Sequence, residues 1–496
     1  MKLAAILSGI GLKQPLAPDL AGVEIEGLEF DSRRVGPRFL FFAFPGSRQD
    51  GRQFAADAQA RGASVVASES EAPTGFPGAW IQVEHGRRAL ALAARNFYDR
   101  PDERLVLTGI TGTNGKTTTS YLLDSILRTH GAVTALIGTI EYHLAGRVLP
   151  AVNTTPESLE LMRLFSELEH LGGTYVTMEV SSHSLALGRV YGLHFRTAVF
   201  TNLTRDHLDF HGTMENYLAA KRMLFEGTGA PPPSVAVLNR DDETIQGLTL
   251  GPGTEIYWYG LGQEAGLRAR HVVTGFDGLR FELQFGKTRF PVESPLIGKI
   301  NVYNILAASG AALSYGIPPE TIARGIAALR AVPGRFERVD EGQPFVVVVD
   351  YAHTDDALRN VIAVARGLNP KRIITVFGCG GDRDRTKRPL MGQAAAEASD
   401  LVVLTSDNPR SEDPLAIMND AMVGIRRVDV PYIVEPDRGA AIARALKEAR
   451  EGDIVILAGK GHETYQILKD QTVPFDDRAV AREVLKGYGY SKAGNE

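Results

Sequence analysis

Short apolar runs with strand character alternate with stretches of helical periodicity along most of the chain, and the runs repeatedly end in a dense polar cluster. Leu105–Leu107 runs into Gly109-Ile-Thr-Gly112-Thr113-Asn114-Gly115-Lys116-Thr117-Thr118, and a helical pattern from Tyr121 to Leu127 follows. Tyr175–Met178 runs into Glu179-Val-Ser181-Ser182-His183, and Ala198–Phe200 into Thr201-Asn202-Leu203-Thr204-Arg205-Asp206-His207. Farther on, Val346–Val349 meets Asp350-Tyr351-Ala352-His353, and Ile373–Phe377 meets Gly378-Cys379-Gly380-Gly381-Asp382-Arg383. Leu401–Leu404 meets Ser406-Asp407-Asn408-Pro409-Arg410, and Ile454–Leu457 meets Gly459-Lys460-Gly461-His462-Glu463. This alternation predicts an α/β fold with largely parallel sheets. Open α/β sheets bind ligands at the carboxyl ends of their strands. Two consecutive blocks with that signature predict two half-sites facing each other across a cleft, an enzyme's architecture more than a scaffold's.

The pattern divides the chain into three blocks: residues 1–98, 99–332 and 333–496. The first holds short strands and a loop at Phe41-Phe42-Ala43-Phe44-Pro45-Gly46. In the second, Pro231-Pro232-Pro233 marks a rigid turn, and the alternation Leu279-Arg-Phe281-Glu-Leu283-Gln-Phe285 predicts an antiparallel strand. The third opens near Val332-Pro333-Gly334-Arg335 and ends in a frayed tail, Ser491–Glu496.

A chain of 496 residues is too long for one core. Its 44% hydrophobic and 23% charged residues exclude a largely disordered protein. A net charge of −5 provides no basic field, so nucleic acid is not an expected partner. The single cysteine, Cys379, cannot form an internal disulfide and follows a buried strand, which predicts a structural residue in a reducing cytoplasm. There is no signal-peptide pattern and no apolar run of membrane-spanning length, so a soluble cytoplasmic protein is expected.

Strand, glycine-rich loop, Lys-Thr and helix form the layout of a nucleoside-triphosphate-binding loop. Backbone N–H groups at the helix N-terminus would hold phosphate oxygens, Lys116 would neutralise the β- and γ-phosphates, and the Thr117 hydroxyl would ligate Mg²⁺. Counted from Gly109, Asn114 stands where the usual pattern has glycine, so the loop is a shifted variant. Glu179, at a strand end, suits a carboxylate ligand of Mg²⁺, and His207 suits a second ligand when neutral. Nothing has the Cys/His spacing of zinc. Tyr217, Lys221 and Phe225 fall on one helical face, where a lysine ordinarily snorkels to water. Asp382 to Arg388 form a charged loop that is either self-paired or built for anions. Arg383 and Arg410 suit carboxylate recognition through their guanidinium forks.

Gly-Thr-Asn-Gly-Lys-Thr-Thr, Glu-Val-Ser-Ser-His, Thr-Asn-Leu-Thr-Arg-Asp-His-Leu-Asp and Asn301-x-x-Asn304 closely resemble the Mur ligases, ATP-dependent amino-acid ligases of peptidoglycan precursor synthesis. The shifted phosphate loop is that family's own form. Asp31-Ser32-Arg33, Asn153-Thr154-Thr155-Pro156, Gly-Cys-Gly-Gly-Asp-Arg-Asp and Gly-Lys-Gly-His-Glu narrow the resemblance to the branch that adds the third residue of the peptide. The match runs from about residue 25 to 485.

The resemblance implies a three-domain fold: a UDP-binding domain at 1–98, a central P-loop ATPase domain at 99–332, and a Rossmann-like amino-acid-binding domain at 333–496. It implies that ATP phosphorylates the D-Glu γ-carboxylate of UDP-MurNAc-L-Ala-D-Glu and that an amine attacks the acyl phosphate. Carried over by position, Gly112, Thr113, Asn114, Gly115, Lys116, Thr117 and Thr118 resemble the ATP loop. Asn304, Arg335 and Asp350 resemble adenine, phosphate and ribose contacts. Thr117 and Glu179 resemble ligands of one Mg²⁺ and His207 of a second, and Lys221 resembles a lysine carried as a carbamate, an anionic ligand. Ser32, Asn153, Thr154, Thr155, Ser181 and Arg189 resemble contacts to the UDP-muramoyl dipeptide.

Asp407-Asn408-Pro409-Arg410 resembles the box of ligases that add meso-diaminopimelate. Arg383 and Arg410 would pair with its distal carboxylate, while Gly459 and Glu463 would accept its distal ammonium. Lysine's distal ammonium would instead be repelled by the arginines. The neighbouring readings are a lysine-adding ligase of the same family, a folylpolyglutamate synthase-like ligase, or a switch that hydrolyses ATP alone. The family precedent implies a monomer.

Overall fold

The computed structural model describes residues 1–46 and 50–491. A first sheet has four parallel strands in sequential order: β1 (Gly27–Glu29), β2 (Phe39–Ala43), β3 (Ala63–Ser68) and β4 (Ala79–Gln82). The loop expected at Phe41–Gly46 is therefore half strand. Phe41, Phe42 and Ala43 are wholly buried, because a parallel strand covered on both faces reads as a continuous apolar run without alternation. From residue 492 on, the expected frayed tail lies outside the described residues.

The second sheet has eleven strands. In chain order they are β5 (Val106–Thr111), β6 (Thr134–Ile137), β7 (Glu141–Leu144), β8 (Arg147–Pro150), β9 (Tyr175–Glu179), β10 (Thr197–Phe200), β11 (Val235–Asn239), β12 (Glu255–Gly260), β13 (Leu267–Gly275), β14 (Gly278–Phe285) and β15 (Thr288–Ser294). The spatial order is β15-β14-β13-β12-β11-β10-β5-β9-β6-β7-β8. β5 sits between β10 and β9, parallel to both. Antiparallel strands finish each edge, including β14, the strand expected from its alternating pattern.

A third, six-stranded sheet comprises β16 (Glu337–Val339), β17 (Val346–Asp350), β18 (Ile373–Phe377), β19 (Leu401–Leu404), β20 (Tyr432–Val434) and β21 (Ile454–Ala458), ordered β16-β17-β21-β18-β19-β20. Only β16 runs antiparallel to its neighbour. A hairpin of β22 (Tyr465–Leu468) and β23 (Gln471–Pro474) follows.

Packing explains the order. One apolar cluster runs from Leu3, Phe42 and Leu90 through Leu107, Phe165 and Phe200, so the first sheet shares a core with one face of the second. The other face of the second sheet packs against the helices Lys116–Thr129, Ile300–Ser314 and Pro319–Ala328. The third sheet has its own core on each face. Burial of an aliphatic side chain contributes about 1.5–3 kcal/mol, so these layers fix the strand ends that carry the polar clusters.

Candidate active site

β5 delivers the phosphate loop. Gly109 lies inside the strand, which explains why counting from it misplaces the pattern. The positions that need glycine are Gly112 (φ +142°) and Gly115 (φ +87°). A Cβ on Gly112 would lie 1.9 Å from Thr201 Oγ1, and one on Gly115 would lie 2.4 Å from Asn304 Oδ1. Asn114 adopts no left-handed backbone, so it needs no glycine there. Its N–H donates to Asn202 Oδ1 (2.9 Å), and its carbonyl accepts from Thr201 Oγ1 (2.6 Å). Lys116 opens the helix Lys116–Thr129 and folds its Nζ back onto the carbonyls of Gly112 and Thr113, both at 2.8 Å.

Lys221 is the correction to the snorkelling expectation. It is 1% exposed on the helix Met214–Glu226. Its Nζ donates to the same Gly112 carbonyl at 2.8 Å and lies 4.5 Å from the centre of the Tyr217 ring. Burial, reinforced by the nearby Lys116 cation, holds the Lys221 amine well below the usual lysine range.

Glu179 ends β9 with no exposed surface. Its two carboxylate oxygens accept from the Thr139 N–H (2.9 Å) and hydroxyl (3.0 Å). His207 has φ +53°, and its ring meets His183 edge-on at 4.8 Å. Burial pushes His207 down to about 4, so its imidazole is neutral near pH 7 and free to coordinate. Among the described residues no three His, Cys, Asp or Glu side chains converge on a ready-made metal cage. Mg²⁺ needs none, because it is ordinarily held by one or two carboxylates plus substrate phosphates and water. The Thr117 hydroxyl, Glu179 carboxylate and His207 imidazole all line one cavity and fit that requirement. The Lys221 amine does not fit as a ligand in this state.

That cavity, of about 580 Å³, has one wall from the second sheet and one from the third. Arg335 Nη2 donates to Thr117 Oγ1 at 3.1 Å. Asp350, at the end of β17, accepts from the N–H groups of Phe336 (2.7 Å) and Ala352 (2.9 Å), and burial raises its carboxyl. Asn304 Nδ2 donates to Asn301 Oδ1 at 2.9 Å. Ile300, Asn301, Tyr303 and Asn304 also line the space.

The other expected residues distribute as follows. Thr118, Thr154 and Ser181 line the cavity. Thr155 and Arg189 lie behind it: Thr155 Oγ1 donates to the Glu179 carbonyl (2.9 Å), and Arg189 Nη1 donates to the Thr155 carbonyl (3.0 Å). Asn153 is exposed, with its carbonyl accepting from Tyr142. Ser32 sits in the first block on a short helical turn, Ser32–Arg34, and neither it nor Asn153 lines the cavity.

A second cluster forms at the carboxyl ends of β18, β19 and β21. Arg383 is exposed, and neither it nor Arg410 has an ion-pair partner among the described residues. Arg410 Nη1 donates to the Gly381 carbonyl (2.7 Å). Of the other basic residues of the charged loop, Arg385 pairs with Asp420, Arg388 with Glu412 and Asp420, and Lys387 with Asp206. Asp407, Asn408 and Pro409 are buried behind Arg410. The Gly459 N–H donates to the Asp350 carbonyl (3.0 Å), and Glu463 Oε2 accepts from Asn408 Nδ2 (2.9 Å). Cys379 is buried, its sulfur 3.8 Å from Met391 Sδ, and burial raises its thiol to about 12. That is the inert residue expected.

Four participants escaped the sequence reading. Thr139 orients Glu179. Asp356 accepts from Asn114 Nδ2 (3.2 Å) and Thr204 Oγ1 (2.9 Å) across the cleft. Lys387 pairs with Asp206 at 3.4 Å. Lys460 is wholly buried beside Asn408. Lys387 had a signal in the charged loop, and Lys460 had one as a lysine between two glycines at the end of an apolar run, but neither pairing was expected.

Three family models match the chain: "Mur ligase family, catalytic domain" over residues 24–98, "Mur ligase middle domain" over 110–312, and "Mur ligase, glutamate ligase domain" over 334–461. The chain is 75% identical over 490 residues to the UDP-N-acetylmuramoyl-L-alanyl-D-glutamate–2,6-diaminopimelate ligase of Solibacter usitatus, covering 99% of each chain. It is 46% identical over 493 residues to the ligase of that name from Geobacillus thermodenitrificans, covering 98% of this chain and 99% of the relative. A solved structure of a ligase of that name superposes with a TM-score of 0.70 at 33% identity, covering 99% of this chain and all of the other.

Proposed function

The chain belongs to the Mur ligase family, and from that premise we infer that it is the ATP-dependent ligase joining 2,6-diaminopimelate to UDP-MurNAc-L-Ala-D-Glu. The observation that carries the reading is the shared cavity, with the phosphate loop on one wall and Arg335, Asp350 and Tyr351 on the other. Such a space suits phosphoryl transfer from a nucleotide to a carboxylate, with water excluded by closure of the two walls.

In this reading the loop N–H groups and Lys116 receive the triphosphate, and Lys116 exchanges its two carbonyl partners for phosphate oxygens. Arg335 adds a second cation where charge collects in the transfer. Mg²⁺, one ion held by Thr117 and Glu179 and a second by His207, would offset the repulsion between the D-Glu carboxylate and the γ-phosphate. Lys221, once carboxylated on Nζ, would join that ligand set as an anion. Thr154, Thr155, Ser181 and Arg189 position the muramoyl dipeptide, while Ser32 and Asn153 contact it farther out. Asn304 takes the adenine and Asp350 the ribose.

Diaminopimelate is supported by Arg383 and Arg410, two guanidinium groups without a carboxylate partner among the described residues, and by the Glu463 carboxylate in the same cluster of strand ends. A distal carboxylate and ammonium on one carbon match that pairing; lysine offers only the ammonium. We take the three family-model regions as three domains with boundaries near 98 and 332. The active unit is proposed to be a single chain, since one chain supplies both cavity walls, and it is placed in the cytoplasm. No helix among the described residues is long and apolar enough to cross a membrane. ADP release with ATP, Mg²⁺ and UDP-MurNAc-L-Ala-D-Glu, with diaminopimelate or L-lysine in parallel, tests the reading. Turnover with diaminopimelate alone is expected. Turnover with lysine overturns the specificity, and release without either amino acid overturns the ligase.

A further inference from the structure

We propose that Lys460 is a positioning residue for the amino-acid substrate: its buried ammonium fixes the amide of Asn408 and balances one of two neighbouring carboxylates, leaving one oxygen of Glu463 for the substrate's distal ammonium. The inference deepens the reading of this cluster as a diaminopimelate site and rests on it.

Lys460 follows β21 and has no exposed surface. Its Nζ donates to Asn408 Oδ1 (3.1 Å), the Tyr465 carbonyl (2.8 Å) and Glu463 Oε2 (3.4 Å), and lies 3.6 Å from Asp407 Oδ1. Three protons meet three acceptors, so Lys460 has none to offer a substrate and acts only through its neighbours. Asn408 Oδ1 also receives the Ile467 N–H at 2.9 Å. An atom facing two donors must be the amide oxygen, which settles the orientation of the side chain. Asn408 Nδ2 is thereby aimed at Glu463 Oε2 (2.9 Å). Glu463 Oε2 thus holds two donors from the protein. Its Oε1 accepts from no donor among the described residues.

Charge completes the argument. Asp407 and Glu463 carry two negative charges behind the guanidinium groups, and Lys460 cancels one of them. The remainder matches a single ammonium. Burial and Asp407 raise the Glu463 carboxyl, while Lys460 and Asn408 hold it down. Arg438, Tyr351, Tyr465 and Cys379 are the other titratable groups that interact with this pair. Without Lys460, two carboxylates share a half-buried pocket, a situation in which one of them gains a proton.

The test is steady-state ADP release by the full-length enzyme across a range of pH, comparing the native chain with Lys460→Met and Lys460→Gln. The expected result is a KM for diaminopimelate raised roughly ten- to hundredfold, with the KM for ATP unchanged. The acidic limb of kcat/KM for diaminopimelate should move to higher pH, a displacement that general loosening does not produce. Should Lys460→Met melt early, Lys460→Gln retains hydrogen-bonding capacity without the charge and is judged by the same criteria. An unchanged KM for diaminopimelate, or losses equal for both substrates at every pH, overturns the role of Lys460 alone. Failure of the native enzyme to use diaminopimelate overturns the functional reading and this inference with it.

Discussion

Arg335 Nη2 donates to Thr117 Oγ1 at 3.1 Å, so an arginine just before the third sheet grips the hydroxyl that the phosphate loop would offer to a metal. The two residues are 218 positions apart in the chain. Asn114 and Asp356 make a parallel link at 3.2 Å. Both contacts hold the cavity walls together through groups that a bound nucleotide would also use. In the proposed function, closure and ATP binding therefore draw on the same side chains.

This relationship makes Arg335→Ala informative. Loss of a charge-assisted contact costs about 1.5–3 kcal/mol, so kcat/KM for ATP should fall roughly ten- to hundredfold. Arg335→Lys should recover little, because an ammonium lacks the planar fork. Kinetics with saturating diaminopimelate check the point, and near-native behaviour of Arg335→Ala would remove it from phosphate contact.

Arg410 presents the complementary case. It has no carboxylate partner among the described residues, and its Nη1 donates only to the Gly381 carbonyl. Arg410→Ala should raise the KM for diaminopimelate by a factor reflecting ~1.5–3 kcal/mol while leaving that for ATP unchanged. Isothermal titration with each substrate separates the two; equal weakening of both would reassign Arg410 to a structural task.

The phosphate loop was legible from sequence because its chemistry is local: strand, two glycines and Lys-Thr are consecutive, and the helix dipole follows automatically. The strand ends were legible for the same reason, each apolar run stopping where its cluster begins. Phe41–Ala43 misled because a doubly covered strand lacks alternation, the property that separates strand from loop. Asp356 and Thr139 carry no signal at all, and the charged loop that holds Lys387 does not point to Asp206, since each acts on a partner 40 or more positions away. Lys221 shows the limit most plainly. A lysine on a helical face reads as exposed, and only the packing of Tyr217 and the loop above it shows otherwise.

Burial of Lys221 has a chemical consequence. An amine held well below the usual lysine range spends more time neutral, the form that adds carbon dioxide to give a carbamate. Turnover should therefore depend on bicarbonate in carefully degassed enzyme. Lys221→Ala should be inactive yet folded, with partial recovery on adding a short carboxylic acid. Full activity of Lys221→Ala, or no gain from any carboxylate, would count against an anionic Lys221.

Acid stability follows from His462. Its ring lies 4.9 Å from that of Tyr351, and burial together with Arg335 and Arg478 pushes it down to about 4 from an ordinary 6.5. Above pH 6.5 the side chain is neutral in both folded and unfolded chains, so it contributes no pH dependence. Between 6.5 and about 4 the unfolded chain binds a proton that the folded chain refuses, and stability falls with falling pH. Below about 4 both states are protonated and the loss levels off. The full effect is at most roughly 3 kcal/mol, reduced by screening where the ring meets water. His207, also held near 4, acts in the same window. From pH 7 to 4 the melting temperature of the native chain should fall more steeply than that of His462→Gln, the difference developing below pH 6.5, because the variant has no proton to refuse. Parallel curves would mean that the His462 imidazole titrates normally in the fold and that the two arginines do not press on it.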